Sequence, residues 1–393
     1  MSTSVIVLSY NPGGWLKACL EAAVNQADQV VIVDNGSPGA SASGIGREAG
    51  ALVVRSEENL GYAAGVNLGV QSASGDLIAL LNDDALPGPG WLAAAGRALE
   101  RPDVAAVVPK VLRSGWYREI VLHDCYQDAP GDHRVLGRKV ESLTSDGQDV
   151  LDRLLGAGIH RLERSCVGGE RWRWTRPGVP FYAPVAGPDG GELLIDGESA
   201  PAGRVCRLLN KAGGYLLEDG VLGDIGDETP DDGRWDQPSE PFYGSGTALV
   251  IRRDTWERVG ELAGPFFAYY EDGDWCWRAR LAGMRILYDP SATVEHRHSA
   301  TSGGASPRVD RLASRNRLLT LARNAPLRVL PSAMRRVGRE LPDRGGRGDA
   351  SAKLAWALSS RRGLRRRWEI SPLEVWNRWA AEAPPGDDGP ALA

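Results

Sequence analysis

Apolar residues run in short blocks through the first 110 positions, and the blocks alternate between two periods. SVIVLS at 4–9, QVVIVDNGS at 29–37, ALVVRS at 51–56 and DLIALLNDD at 76–84 hold near-continuous apolar runs of strand length. Between them LKACLEAAVNQ at 16–26, a segment around 40–50, the loop and helix NLGYAAGVNLGVQSA at 59–73 and GWLAAAGRALE at 90–100 have helical character. Strands that are apolar on both faces, separated by helices, predict a parallel sheet covered on both sides, an α/β layer fold. Ligands of such sheets bind beyond the carboxyl ends of the strands. Here those ends carry Ser9, Tyr10 and Asn11, then Asp34 and Asn35, then Asn82, Asp83 and Asp84, so a common crevice is expected.

The pattern changes at 113–206, where short apolar stretches are broken by Gly and Pro, as in ERWRWTRPGVPFYAPVAGPDGGELLIDGESAPAG. These signals predict a β-rich insertion; Trp172 and Trp174 alternate as in ordinary strand packing, or as a surface on which sugars stack. Regular elements return from 242, and beyond about 305 the chain turns helical and basic. The organisation expected is 1–112 and 207–304 as two halves of one α/β domain, 113–206 as the insertion, 305–382 as a helical basic region and 383–393 as a disordered tail.

Charge sharpens this division. The chain of 393 residues has a net charge of -5, yet residues 305–378 carry 18 Arg or Lys against 6 Asp or Glu, leaving 28 basic and 45 acidic residues elsewhere. Such a patch is a solvated helical surface or a contact for anionic lipid or a polyprenyl phosphate; nucleic acid is not expected as a partner. Five scattered cysteines without a C-x-x-C spacing argue for a reducing compartment and against a disulfide framework or zinc-thiolate site. The N-terminal MSTSVIVLSYN has no basic leader and nowhere do 18 apolar residues run together, so a cytoplasmic protein is expected, with the inner face of the membrane reached only peripherally.

Neighbouring carboxylates such as Asp83 and Asp84 at a sheet mouth repel one another, and burying either needs a positive partner. A divalent cation held by one or two carboxylates and completed by a substrate's phosphates fits that need. A turn or helix cap is the simpler use of the same residues. A second acidic group, Glu271, Asp272 and Asp274, precedes an aromatic and basic helical stretch, where carboxylates either cap a helix or supply a general base. His296 and His298 follow in TVEHRH and, two apart on a strand, point to opposite faces, so one of them is expected at the site. No G-x-x-x-x-G-K-[ST], G-x-S-x-G or zinc signature is present, and GIGREAG at 44–50 has the wrong spacing for a dinucleotide loop.

Taken in order, VIVLSYN, VVIVDNGS, ENLGYAAGVNLG, LLNDDALPGPGWL, GSGTALVIRRDTWERVG, FFAYYEDGDWCWRARLAG and VEHRHSATSG resemble the family 2 glycosyltransferases, inverting enzymes of the GT-A fold, and especially the bacterial rhamnosyltransferase-like group. The likeness spans about 1–110 and 240–304. It implies a mixed, mainly parallel sheet and a metal-assisted hexosyl transfer from a dTDP- or UDP-sugar to a glycan, polyprenyl-linked or small-molecule acceptor, with Mg or Mn as cofactor. By the same resemblance Ser9, Tyr10, Asn11, Asp34 and Asn35 form the base and ribose pocket, and Asn59, Gly61, Gly65 and Asn67 approach the nucleotide-sugar. Asn82 and Asp83 lie beside the donor, Asp84 with His296 or His298 holds the metal, and Asp272 is the catalytic base with Glu271 beside it. Gly244, Ser245, Gly246 and Trp275 are expected at the acceptor. A transferase acting on a small natural product and a catalytically silent carbohydrate-binding scaffold are the alternatives.

Overall fold

A computed structural model describes residues 1–125, 134–165, 169–297, 307–341 and 344–382. His298, Cys166 and the tail 383–393 lie outside the described residues. The chain divides into two compact units, the first made of Met1–Val111, Lys211–Gly226 and Arg234–Ala393, the second of Leu112–Asn210 and Asp227–Gly233.

The first unit is built on strands β1 (Thr3–Ser9), β2 (Gln29–Asn35), β3 (Leu52–Ser56), β4 (Leu77–Asn82), β5 (Ala85–Pro87), β6 (Val104–Arg113), β7 (Ala248–Arg252) and β8 (Arg285–His296), in the order β3-β2-β1-β4-β7-β6-β8-β5. The half from β3 to β4 is wholly parallel. β7 then enters antiparallel to both β4 and β6. The continuous apolar runs are explained by period two: Ile6, Val31, Val33, Ile78 and Leu80 enter one core, while Val5, Val7, Ile32, Ala79 and Leu81 enter the other. Each Val, Ile or Leu among these stabilises the fold by roughly 1.5–3 kcal/mol on full burial.

Helices α1 (Leu16–Val24), α2 (Ser41–Glu48) and α4 (Trp91–Ala98) close the second of these cores. Helices α3 (Gly61–Gln71), α5 (Arg253–Val259) and α6 (Glu271–Leu281) close the first. The C-terminal helices α7 (Pro307–Asn324), α8 (Leu330–Glu340), α9 (Arg344–Leu364) and α10 (Pro372–Trp379) belong to this same unit rather than standing as a separate basic region. α7 packs on α6, and its Arg315, Arg317 and Arg323 are buried against Asp349, Glu340 and Asp274. α10 starts in a capping box between Ser371 and Glu374 and stacks Trp376 on Trp277 of α6, 6.1 Å between centroids. Among the described residues no helix is long and apolar enough to cross a membrane.

The second unit is rich in β-structure and has its own core of Ile120, Leu122, Val140, Leu143, Leu151 and Phe181. Trp116–Ile120 pairs antiparallel with Phe181–Val185, and Arg171–Trp174 lies between Lys139–Val140 and Glu163–Arg164. The unit extends to 210 and takes in 227–233, which the expected limits of 113–206 omit. Trp172 donates to Glu163 at 3.1 Å and carries Lys139 over its ring, so its face is used within the strand layer.

Candidate active site

Three parallel strands deliver their last residues side by side, because Ser9 pairs with Asp34 and Leu8 with Asn82. β7 runs the other way, so its leading segment Gly244–Thr247 arrives at the same edge, where the Asn82 amide donates to the Thr247 carbonyl at 3.0 Å. Opposite strand directions thus bring residues 82 and 247 together.

On one side of this edge the polar groups mostly shape the backbone. Asp34 is fully buried and accepts from the Ser37 and Ser43 amides, the Ser43 hydroxyl and Arg55 Nη1. Burial alone would raise its carboxyl, but the hydrogen bonds from Ser43 and Ser37 hold it below the usual range. Asn35 accepts from the Leu60 amide and donates to Asn59 Oδ1 and the Gly61 carbonyl, while Asn59 accepts from the Gly61 amide. The two asparagines therefore fix the start of α3. Gly61 adopts φ +79° there and a Cβ would lie 2.5 Å from the Phe267 carbonyl oxygen, so this position requires glycine, while at Gly65 a Cβ would press on the Leu8 side chain. Asn67 gives both ends of its amide to the backbone of Leu262. Tyr10 is 41% exposed, and Asn11, at φ 53°, donates its amide to Ser37 Oγ.

Beyond β4 the carboxylates gather. Asp83 accepts from Ser9 Oγ at 2.6 Å, and Asp84 Oδ1 lies 3.1 Å from Nε2 of the buried His296. The contact forms because β8 ends against β5, pairing His296 with Ala85. Burial raises the Asp83 carboxyl to about 6, with the Asp84 charge adding to it and the Ser9 hydrogen bond opposing it. A carboxylate so displaced is restored to full ionisation by a nearby cation. Among the described residues no group of three or more His, Cys, Asp or Glu is placed to hold a metal ion. The Asp84 carboxylate with the His296 imidazole is a two-donor pair, which suits an ion whose shell is finished by other oxygens.

Glu271 and Asp272 occupy the first turn of α6. Asp272 is half-buried; Oδ2 accepts from the Gly246 amide at 2.9 Å and Oδ1 from the Gly273 amide at 2.7 Å. Burial raises its carboxyl, while those amides and the Lys211 charge pull it back. Glu271 is buried with Oε2 lacking a hydrogen-bond partner, and desolvation, then the Asp272 charge, drives its carboxyl well up. Tyr62 donates to the Gly246 carbonyl at 2.6 Å, Lys211 pairs with Asp224 at 3.0 Å, and Tyr243 donates to Asp224. Tyr62 lies within the glycine-rich segment ENLGYAAGVNLG and Tyr243 directly precedes GSG, so both had a signal that went unused, whereas Lys211 and Asp224 lie outside every motif singled out in the sequence. Within the GSG segment, Ser245 Oγ lies 3.1 Å from Thr247 Oγ1 and the Gly244 amide donates to Cys276. Trp275 corrects an expectation: it is fully buried, stacks on Trp256 and donates to the Gly260 carbonyl, so it packs the core instead of meeting an acceptor.

The model of the family described as glycosyl transferase family 2 matches residues 4–124. Residues 4–124 are a family 2 glycosyltransferase domain. This glycosyltransferase domain is similar to part of the N-acetylglucosaminyl-diphospho-decaprenol L-rhamnosyltransferase of Mycobacterium tuberculosis H37Rv, 41% identical over 73 residues, which is 18% of this chain and 24% of the relative. It is also similar to the uncharacterized glycosyltransferase YwdF of Bacillus subtilis 168, 24% identical over 154 residues, 38% of this chain and 53% of the relative. The chain thus spans about a quarter to a half of the curated relatives it matches. A distant structural likeness covers 96% of this chain and 83% of the mannosyltransferase PcManGT from Pyrobaculum calidifontis, solved with GDP-Man and Mn2+, at 15% identity and TM-score 0.42. Another, to GalNAc-T7 solved with UDP, GalNAc and Mn2+, covers 82% of this chain and 48% of that one, at 13% identity and TM-score 0.47.

Proposed function

We propose that the chain is an inverting glycosyltransferase that moves a hexose, rhamnose-like or another, from a dTDP- or UDP-sugar to a hydroxyl of a glycan or lipid-linked glycan. The observation that carries this reading is the short backbone shared by the two acidic groups: Gly246 donates to Asp272, and Thr247 accepts from Asn82. Adjacent residues thus tie the candidate base to the strand end that leads into Asp83 and Asp84, an arrangement that suits a single displacement between an acceptor and a donor. The lipid-linked acceptor draws support from the mycobacterial relative, which is named for transfer to a diphospho-decaprenol acceptor.

Asp84 and His296 are the residues that would hold a divalent metal, Mg or Mn, with Asp83 beside the donor sugar or ribose. Such an ion supplies Lewis-acid neutralisation of the charge on a departing diphosphate. Asn35 and Asn59 keep the Gly61 segment close to the strand ends, where the nucleotide-sugar would lie. Asp272 takes the proton from the acceptor hydroxyl, its proton affinity raised by burial toward what a base needs near neutrality. The amides of Gly246 and Gly273 hold that carboxylate in one orientation. Attack from the face opposite the diphosphate inverts the anomeric centre in one step. The exposed Arg362, Arg365 and Arg366 are the part of the C-terminal region suited to anionic lipid.

Calorimetric titration with UDP and dTDP, with and without Mn2+, tests the donor side on wild type and Asp84→Ala. Tight binding only with metal and only with Asp84 is expected; equal binding by Asp84→Ala overturns the metal assignment. Product retaining the donor's anomeric configuration overturns the single displacement.

A further inference from the structure

The segment that leads into α6 is held in an unfavourable shape. After the short turn Gly264–Phe266, the residues Phe267, Tyr269 and Tyr270 have φ of 68°, 70° and 73°. All three are bulky aromatics, and a non-glycine residue in such a conformation costs roughly 1–3 kcal/mol. Phe267, with ψ -67°, centres a γ-turn closed by the Ala268 amide on the Phe266 carbonyl at 2.8 Å, the rarer and more strained of the two γ-turn forms. Surroundings must hold such a turn in place.

Its holder comes from α7. The side-chain amide of Asn316, fully buried, lies 3.0 Å from the Phe266 carbonyl, 2.8 Å from that of Ala268 and 2.7 Å from that of Tyr269. Arg315 Nη2 donates to the same Phe266 carbonyl at 2.8 Å, and Arg315 Nε donates to Asn316 Oδ1, which fixes the amide's orientation. On its other side the turn meets the donor-side segment. The Phe267 carbonyl accepts from the Ala63 amide, and a Cβ on Gly61 would come within 2.5 Å of Phe267. Tyr270 then caps α6 immediately before Glu271 and Asp272.

We infer that Asn316 is a positioning residue for the transfer: by gathering three carbonyls of the strained 266–270 turn it sets Asp272 against Gly246 and the Asn59–Gly61 segment. This rests on Asp272 acting as the base. A buried asparagine that served packing alone would affect stability and leave the turnover of folded protein unchanged.

Asn316→Leu removes the donors at similar volume, and Asn316→Ser keeps one donor should the leucine variant not fold. In steady-state transfer assays corrected for folded fraction, kcat is expected to fall roughly ten- to a hundred-fold, the scale of a base displaced by about 1 Å. KM for the nucleotide-sugar should stay within about twofold of wild type. Adding Tyr269→Gly, which relieves a left-handed residue, should recover part of the lost kcat. Wild-type kcat in folded Asn316→Leu or Asn316→Ser, while Asp272→Asn is inactive, overturns the positioning role and leaves the base intact. Full turnover by Asp272→Asn overturns both.

Discussion

Replacing Asp274 with alanine should cost the first unit about 3–5 kcal/mol, the scale for breaking a buried ion pair by removing one partner. Asp274 is fully buried and accepts from Arg278 Nε at 2.9 Å, Arg323 Nε at 2.8 Å and Asn324 Nδ2 at 2.7 Å. Without it two buried guanidinium groups lose their shared counter-charge. Arg278 keeps bonds to the Val259 and Glu261 carbonyls, and Arg323 keeps one to Ser360, so the lower half of the range is expected. At roughly 2–4 °C per kcal/mol for a unit of this size, the melting temperature falls by about 6–16 °C. Thermal unfolding followed by tryptophan fluorescence reads this directly, since Trp275 and Trp277 flank the site on α6. A double-mutant cycle with Arg323→Ala should return a coupling of a few kcal/mol. The pH dependence has a defined sign. Burial would raise the Asp274 carboxyl, but Arg323 and Arg278 outweigh it and hold it low. Its stabilisation is therefore present above the unfolded value near 3.9 and lost as pH falls through the lower folded value, so wild type and variant converge in acid. A loss under about 1 kcal/mol near neutrality, far below the buried-pair scale, would refute the reasoning.

Glu271 works in the opposite sense: its carboxyl is raised in the fold by burial, so its contribution is complete below the unfolded value and declines as pH rises through the folded one. Glu271→Gln should abolish that decline, and parallel melting curves of wild type and variant from pH 5 to about 9 would contradict it. Trp275→Ala should lose about 3–5 kcal/mol in denaturant melts while acceptor KM in the folded enzyme is unchanged; a raised KM alone would return this residue to the acceptor site. Charge reversal at Arg362, Arg365 and Arg366 should weaken sedimentation with phosphatidylserine vesicles by about 1 kcal/mol per residue, and unchanged sedimentation would count against a lipid contact there.

Strands β1 to β4 were legible because a strand buried on both faces leaves an unbroken apolar run, and their polar ends named the crevice. The strand Val104–Arg113 was passed over because Pro109 and Lys110 interrupt the apolar run of VAAVVPKVLR, and a proline within such a run argues against a strand. Asp34 and Asn67 show a second limit. A polar side chain at a strand or helix end has the same letter whether it faces a ligand or binds its own backbone. Trp275 shows a third, because α6 is buried almost all round and carries no periodicity to tell one face from another. Within the basic run Arg315, Arg317 and Arg323 departed from the reading for a physical reason: arginines read as solvated charge unless their acidic partners, here Asp349, Glu340 and Asp274, are known to be adjacent. The repeated Arg-Asn pairs at 315–316 and 323–324 were the available hint, since an amide next to a guanidinium suits carbonyl and carboxylate partners.

The place of β7 between β4 and β6 has a consequence for synthesis on the ribosome. β4 is finished at residue 82, but the strand that pairs with its free side begins at 248. At about 5–20 residues per second that gap lasts roughly 8–33 s. Throughout it LIALLN presents an unpaired apolar edge, the kind of surface that recruits other strands. The β-rich unit, whose core residues lie between 117 and 208, is complete before β7 emerges and so can fold while the larger sheet is still open. Nascent chains stalled before residue 248 should therefore be the aggregation-prone and chaperone-bound species, and those stalled well beyond it should not.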